Sequence, residues 1–92
     1  MKIANKNASR YVSDLLKFEG SNTFSEWDGE VYIVYSYGYH FPMFVYINGN
    51  WYENSDKYSV STSKQQNQCR PNATIKAELT TEELKFLIEL RK

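Results

Sequence analysis

His40 is the only histidine in this 92-residue chain, so any mechanism that needs an imidazole as general base must use it. The chain offers serines and one cysteine, Cys69, as nucleophiles, but the spacing does not show that any of them meets His40. A Ser-His-Asp triad is recognised by its geometry, and scattered Ser and Asp residues are no evidence for one. We therefore expect His40 to cap or buttress a turn, and a small hydrolase or nuclease centred on it is the third of three functional hypotheses.

Metal and phosphate chemistry have no recognisable pattern either. One His, one Cys and dispersed carboxylates give no pair of metal ligands at a useful spacing. The glycines are widely spaced and are typical of turns rather than of a phosphate-binding loop: Gly20, Gly29, Gly38 and Gly49. A single cysteine cannot close an intrachain disulfide, which favours a reducing compartment. We expect no catalytic residue, no metal, no cofactor and no enzyme activity.

Aromatic side chains are the other candidates for a functional role. Fifteen residues are Phe, Trp or Tyr, and six of the eight tyrosines fall between residues 30 and 54. A domain this small needs most of these rings in its core. Rings left at the surface either stack on single-stranded nucleic acid beside Lys57, Lys64 and Arg70 or anchor a protein partner. Because eleven basic residues balance eleven acidic ones, the net charge supplies no general attraction for nucleic acid.

The stretch from Tyr58 to Arg70, YSVSTSKQQNQCR, presents hydroxyls, amides and two cations without a general base. A polar stretch this long in a small domain is either a recognition surface or a polar loop. Its composition fits a short strand near residues 58–61, followed by a loop or a solvated helical turn that ends before Pro71.

The elements that must position these residues are mainly strands. Residues 30–54 are rich in β-branched and aromatic side chains, and we predict strands at 22–27, 30–36, 43–47 and 50–53. Asp28-Gly29 and Asn48-Gly49 are two-residue signals for type I′ hairpin turns. The second strand alternates two sets of largely apolar residues, so it is expected to be a central strand covered on both faces.

A helix is predicted at each end of the chain. Residues 8–18 place an apolar stripe on one helical face, with Gly20 as the stop. The C-terminal helix, from about Thr81 to Leu90, has the clearest local signals. Thr80 and Glu83 form a capping box, and Leu79 with Leu84 fits a hydrophobic staple.

Together these elements predict a single α+β domain, residues 1–92, built on an antiparallel β-meander of three to five strands with an N-terminal and a C-terminal helix. No run approaches the ~20 apolar residues of a membrane span, and the N-terminus lacks a signal-peptide pattern. We therefore expect a soluble, intracellular protein that does not contact a membrane.

The middle of the chain resembles a small family of domains of unknown function found largely in bacteriophages and other mobile elements. The resemblance covers residues 31 to 71 and leaves both predicted helices outside it. Five motifs carry it: Tyr35 to Gly38, His40 to Pro42, Trp51 to Asn54, Tyr58 to Thr62, and Arg70-Pro71. Many members of that family have a histidine near the position of Gln65, and its absence here argues against a catalytic role at that position.

The resemblance implies a phage-type accessory protein. Small phage proteins without an enzyme signature often act by binding and blocking a host component, including CRISPR effectors, although this step is an analogy and not a deduction from residues. The leading hypothesis is accordingly a non-enzymatic viral protein that inhibits a host defence complex in the cytoplasm of the host cell, most specifically an anti-CRISPR protein.

The partner contacts are expected from exposed sheet tyrosines and the polar stretch, namely Tyr37, Tyr39, His40, Asn54, Tyr58, Ser61, Lys64, Gln65 and Arg70. The alternative is a single-stranded nucleic-acid-binding module, which predicts an affinity that falls steeply with salt. Both a monomer and a homodimer are consistent with the sequence, because a dimer formed through the aromatic face would also remove that face from water.

Overall fold

The computed structural model describes residues 3, 7–20, 22–27, 30–36, 38–39, 41–56 and 60–91, with the backbone alone at 60–63 and 91. Within these residues lie three helices and five strands: α1 Ala8–Ser13, β1 Thr23–Trp27, β2 Val31–Ser36, β3 Pro42–Ile47, β4 Asn50–Asn54, α2 Val60–Cys69, β5 Ile75–Leu79 and α3 Thr81–Arg91. The predicted α+β class, with a mostly antiparallel sheet and a helix near each terminus, is confirmed.

The five strands form one sheet in the order β1-β2-β3-β4-β5. Strands β1 to β4 are the predicted antiparallel meander. Strand β5 is parallel to β4, which the sequence did not predict. A parallel neighbour needs a long crossover connection, and α2 lies in that connection. The sequence fits a short strand near residues 58–61, but α2 begins at Val60. That prediction is wrong for residues 60 and 61, which are helical.

Strand β2 is covered on both faces, as its sequence predicts. Val31 and Ile33 are buried in a core with Leu84 and Ile88 of α3. Tyr32, on the opposite face, is buried in a second core that includes residues of α1 and α2. The molecule therefore has three layers, with α1 and α2 on one face of the sheet and α3 on the other.

The two hairpin signals have different outcomes. Asn48 and Gly49 have φ angles of 52° and 80°, and Ile47 pairs with Asn50, so the second turn is confirmed. Residues 28 and 29 lie outside the described residues. The register beside them pairs Trp27 with Tyr32, whereas a two-residue loop there requires Trp27 opposite Glu30. That prediction is wrong by two residues, a shift that keeps every side chain on its expected face.

The N-terminal helix is shorter than the prediction of 8–18, and Leu15 is the reason. Leu15 has a left-handed φ of 57°. The amide of Leu16 donates to the carbonyl of Tyr11 at 2.8 Å, and that of Leu15 donates to Val12 at 3.0 Å. This is the hydrogen-bond pattern of a Schellman motif, which ends the helix well before Gly20.

The residues after this motif run along the outer edge of β1. Ser25 N donates to Phe18 O at 3.1 Å, and Gly20 N donates to Thr23 O at 2.6 Å. The hydroxyl of Tyr32 donates to Leu16 O at 2.6 Å. Part of the β1 edge is thus already hydrogen-bonded within the chain, which protects it from pairing with other strands.

Candidate functional site

Three rings form an aromatic cluster on the outer two strands of the sheet: Phe24, Tyr35 and Tyr39. Phe24 and Tyr35 are cross-strand partners on β1 and β2, and their rings stack with centroids 5.1 Å apart. The ring of Tyr39, in the connection after β2, meets both others nearly edge-on with centroids 5.0 Å away. Each ring contacts the other two, and these contacts limit the movement of all three side chains.

The aromatic cluster is exposed because of where α3 lies. Tyr35 shares its sheet face with Val31 and Ile33, the face on which α3 packs. However, α3 packs mainly against β3, β4 and β5, and the cluster lies at the β1 end of that face. Tyr39 is 65% exposed, and it is one of the most exposed large apolar residues described. A partner can therefore reach this ring without rearranging the fold.

Charged side chains, two acidic and one basic, lie beside these rings. The hydroxyl of Tyr39 donates a hydrogen bond of 3.2 Å to Glu26 Oε1. The Glu26 carboxylate raises the pKa of Tyr39, because a second negative charge beside it disfavours the phenolate. Glu19 and Lys17 line the adjoining cleft of about 500 Å³ with Glu26 and Tyr39. Rings beside carboxylates suit a partner that offers apolar groups or an arginine, whose guanidinium stacks on rings and pairs with carboxylates.

The structure places the other predicted contact residues in several different environments. Tyr37, His40 and Tyr58 lie outside the described residues, as does Lys57 of the nucleic-acid hypothesis. Ser61 lies in α2, where only its backbone is described. Lys64 is exposed on α2.

Two further predicted contact residues are buried and have internal partners. Gln65 is 4% exposed, and its Oε1 accepts a hydrogen bond from the hydroxyl of Ser36. Asn54 is fully buried, and its Nδ2 donates to Pro42 O at 2.7 Å and to the Thr81 hydroxyl at 2.9 Å. Both amides hold elements of the fold together, so neither is available at the surface of the folded protein.

Arg70 has an internal partner as well. Its guanidinium binds Glu53 through two parallel hydrogen bonds of 2.8 and 2.7 Å and lies 5.6 Å from the centroid of the Phe44 ring. Hydrogen bonding to Glu53 raises the pKa of Arg70. The Glu53 side chain is only 8% exposed, so removing Arg70 would leave a nearly buried carboxylate without its partner. Loss of binding on replacing Arg70 would therefore also report a change in stability.

The predicted contact residues do not form one surface. Phe44, under Arg70, belongs to the core beneath α1 and α2. Tyr39 contacts Tyr35, which belongs to the opposite face beneath α3. A flat partner cannot touch Tyr39 and Arg70 together. Phe24, Tyr35 and Glu26 complete the surface around Tyr39, and the prediction missed them because only the β1–β2 register brings them to it.

Cys69 has no feature of a reactive thiol. It is fully buried, and burial raises its pKa to about 12. Within the ranges that the structure describes, no group of three or more His, Cys, Asp or Glu side chains is arranged to hold a metal ion. None of the helices in those ranges has the length and apolar character of a membrane span.

Comparison of this chain with protein-family models, with curated proteins and with solved structures finds no match in any of the three.

Proposed function

We propose that this protein acts by binding another protein through the aromatic cluster of Phe24, Tyr35 and Tyr39. The observation that carries the proposal is the 65% exposure of Tyr39 on two supporting rings. A tyrosine held by neighbouring rings loses little side-chain entropy when it enters a partner's pocket. Tyrosines of this kind are common energetic anchors of protein interfaces.

The partner that we propose is a component of a host defence complex, bound in the cytoplasm of the host cell. This choice follows the resemblance of residues 31–71 to a phage family, and its most specific form is anti-CRISPR inhibition. Binding alone is enough for such a role, because an inhibitor that covers a working surface needs no chemistry of its own. The carboxylate of Glu26 beside the rings favours a basic patch on the partner, and defence effectors that handle nucleic acid carry such patches.

The charges favour a protein partner over the nucleic-acid alternative. Glu26 is hydrogen-bonded to Tyr39, so a phosphate backbone that approached the rings would meet a carboxylate. Arg70 lies on the other face of the sheet and is already paired with Glu53. The cation that lines the cleft beside Tyr39 is Lys17, and it shares that cleft with Glu19 and Glu26. Among the described residues, the surface around the rings therefore lacks the excess of positive charge on which a single-strand platform relies.

The functional test is protection of a targeted phage in cells with active CRISPR interference. We expect the wild-type protein to restore plating of that phage with at least one type of system. Tyr39→Ala should lose this activity, since an anchor of this kind is worth about 2 kcal/mol or more, roughly a 30-fold loss in affinity. Leu90→Ala is the matched control, because Leu90 is also 65% exposed but lies on α3.

Capture of the tagged protein from lysates of the protected cells identifies the partner. A defence protein that is retained after nuclease treatment by the wild type and by Leu90→Ala, but not by Tyr39→Ala, supports the proposal. If only nucleic acid is recovered, or if the Tyr39 variant binds as well as the wild type, the proposed interface is wrong.

A further inference from the structure

Strand β5 forms an edge of the sheet whose outer side is open. It comes last in the strand order, and in the described part of the chain it pairs with β4 alone. The carbonyl of Leu79 points toward β4, where it accepts a hydrogen bond of 2.8 Å from Ser55 N. Because backbone groups alternate sides along a strand, the N–H and C=O of Glu78 point outward. The opposite edge, β1, differs in that residues 18–20 already hydrogen-bond to it.

The exposed side chains of β5 are of opposite charge and symmetrically placed. Lys76 and Glu78 are both exposed and flank Ala77 in the sequence IKAEL. The pairing of β5 with β4 is irregular at Lys76, because Trp51 pairs with Ile75 while Tyr52 pairs with Ala77. Lys76 and Glu78 nevertheless lie on the same face of the sheet. Lys76 lines a cleft with Trp51, and Glu78 is close enough to Arg70 to contribute to its raised pKa. Trp51 and Arg70 both belong to the face that carries α1 and α2.

We propose that a second copy of this chain pairs with β5 in the antiparallel direction, with the two-fold axis at Ala77. This register places Lys76 of each copy opposite Glu78 of the other, which gives two cross-strand ion pairs. Charge on an edge strand ordinarily discourages pairing. Here the two-fold axis places each Lys76 opposite a Glu78 of the other copy. The charges that would repel many other strands therefore attract a second β5.

An apolar groove beside the same edge gives the second copy more surface to cover. Leu79, Phe86 and Leu87 line this groove, and Phe86 is 66% exposed. The two-fold axis of an edge-to-edge pair is perpendicular to the sheet, so both copies carry α3 on the same side. The two grooves then adjoin the dimer axis, and pairing removes apolar surface from water as well as satisfying the outward backbone groups.

This dimer is independent of the proposed binding function. The aromatic cluster lies at the β1 end of the sheet, the edge opposite β5. A dimer formed through β5 leaves both clusters accessible, unlike a dimer formed through the aromatic face. Tyr39→Ala is accordingly expected to leave dimerisation unchanged, so failure of one proposal is distinguishable from failure of the other.

Sedimentation equilibrium over a concentration series, with charge-reversal variants, tests the proposal. The wild type should associate to a dimer. Lys76→Glu and Glu78→Lys each create two like-charge pairs and should weaken self-association by about tenfold or more. An equimolar mixture of these two variants restores both Glu–Lys pairs, so it should form a heterodimer. The double variant Lys76→Glu/Glu78→Lys should also dimerise like the wild type.

Rescue in the mixture separates direct pairing from a loss of folding, since a misfolded variant cannot be restored by another variant. Circular dichroism of each variant confirms the fold, which matters for Glu78→Lys because Glu78 lies near Arg70. A wild type that stays monomeric at all concentrations overturns the proposal. So does a dimer that Lys76→Glu leaves unchanged, or a mixture of the two single variants that does not associate.

Discussion

Asn54 joins four elements of the fold through one residue at the end of β4. Its amide donates to Pro42 of β3 and to Thr81 of α3, and its carbonyl accepts a hydrogen bond of 2.8 Å from Gln66 of α2. Its Oδ1 also accepts from Asp56 N at 2.7 Å. A buried amide with every group satisfied adds specificity to a core and is costly to remove. In the sequence, Asn54 begins a polar stretch, and its burial depends on contacts with β3 and with helices that come later in the chain.

Asp56 provides a pH-dependent contribution at the same junction. Its Oδ2 accepts a hydrogen bond of 2.8 Å from Thr81 N at the start of α3, and the hydrogen bonds from Thr81 lower its pKa from the usual 3.8. A carboxylate whose pKa is lowered in the folded state stabilises the fold above its unfolded pKa. That contribution disappears as the pH falls through the lower, folded value.

We therefore predict that Asp56→Asn lowers the free energy of unfolding at pH 7, and that the difference from wild type shrinks as the pH falls below 3.8. Urea denaturation at several pH values measures it. Glu82→Gln, which removes an exposed charge from the first turn of α3, is the control for a general helix-dipole effect. A difference that stays constant between neutral and acid pH would show that the Asp56 charge is not responsible.

Helix α3 begins where a local side-chain motif sets its start. Thr80 N donates to Glu83 Oε1 at 2.8 Å, and Glu83 N donates to the Thr80 hydroxyl at 3.2 Å, so the predicted capping box is confirmed. Helix α2 is different, because it buries Gln65, Gln66 and Cys69 toward the sheet. Polar residues on the inner face hide the apolar periodicity by which a helix is recognised.

Replacing Thr80 by Ala should destabilise the protein by about 1 kcal/mol, because the first turn of α3 loses a hydrogen-bond acceptor. Thr80→Ser keeps the hydroxyl and should remain within a few tenths of a kcal/mol of the wild type. Thermal or urea unfolding of the three proteins measures both effects. Equal losses for the Ala and Ser variants would mean that the methyl group, and not the cap, carries the contribution of Thr80.

At the scale of the whole molecule, the sheet is most protected in its middle. Strands β2 and β3 have a hydrogen-bonded neighbour on each side and are buried on both faces over most of their length. Within the described ranges, strand β5 has one neighbour, and it alternates partly buried with exposed residues. Local opening is therefore easiest at β5, while β2 and β3 open only with the whole domain.

Hydrogen exchange measured by mass spectrometry should show this difference. In dilute solution, we predict the slowest exchange in peptides from β2 and β3 and faster exchange in β5. Protection of β5 should rise with protein concentration as the proposed dimer forms, while that of β2 and β3 stays the same. Equally slow exchange in β5 at every concentration would contradict the idea that its outer edge is open in the monomer.

The sequence by itself determined the features that depend on near neighbours in the chain. Alternation along β2 predicts two buried faces, Asn48-Gly49 predicts a tight turn, and Thr80 with Glu83 predicts the start of α3. Each rests on backbone preferences or side-chain contacts within a few residues, which a sequence states directly. The same reasoning identified surface tyrosines as the candidates for binding, and Tyr39 is indeed exposed.

Only the tertiary structure decided which candidates share a surface. The β1–β2 register brings Phe24 to Tyr35 and so builds the support for Tyr39. The crossover through α2 places Arg70 on the other face, beside a carboxylate that neutralises it. The same crossover makes β5 an edge strand of the sheet. These outcomes depend on contacts between residues far apart in the chain, whose pairing is set by how the cores pack and not by any local pattern.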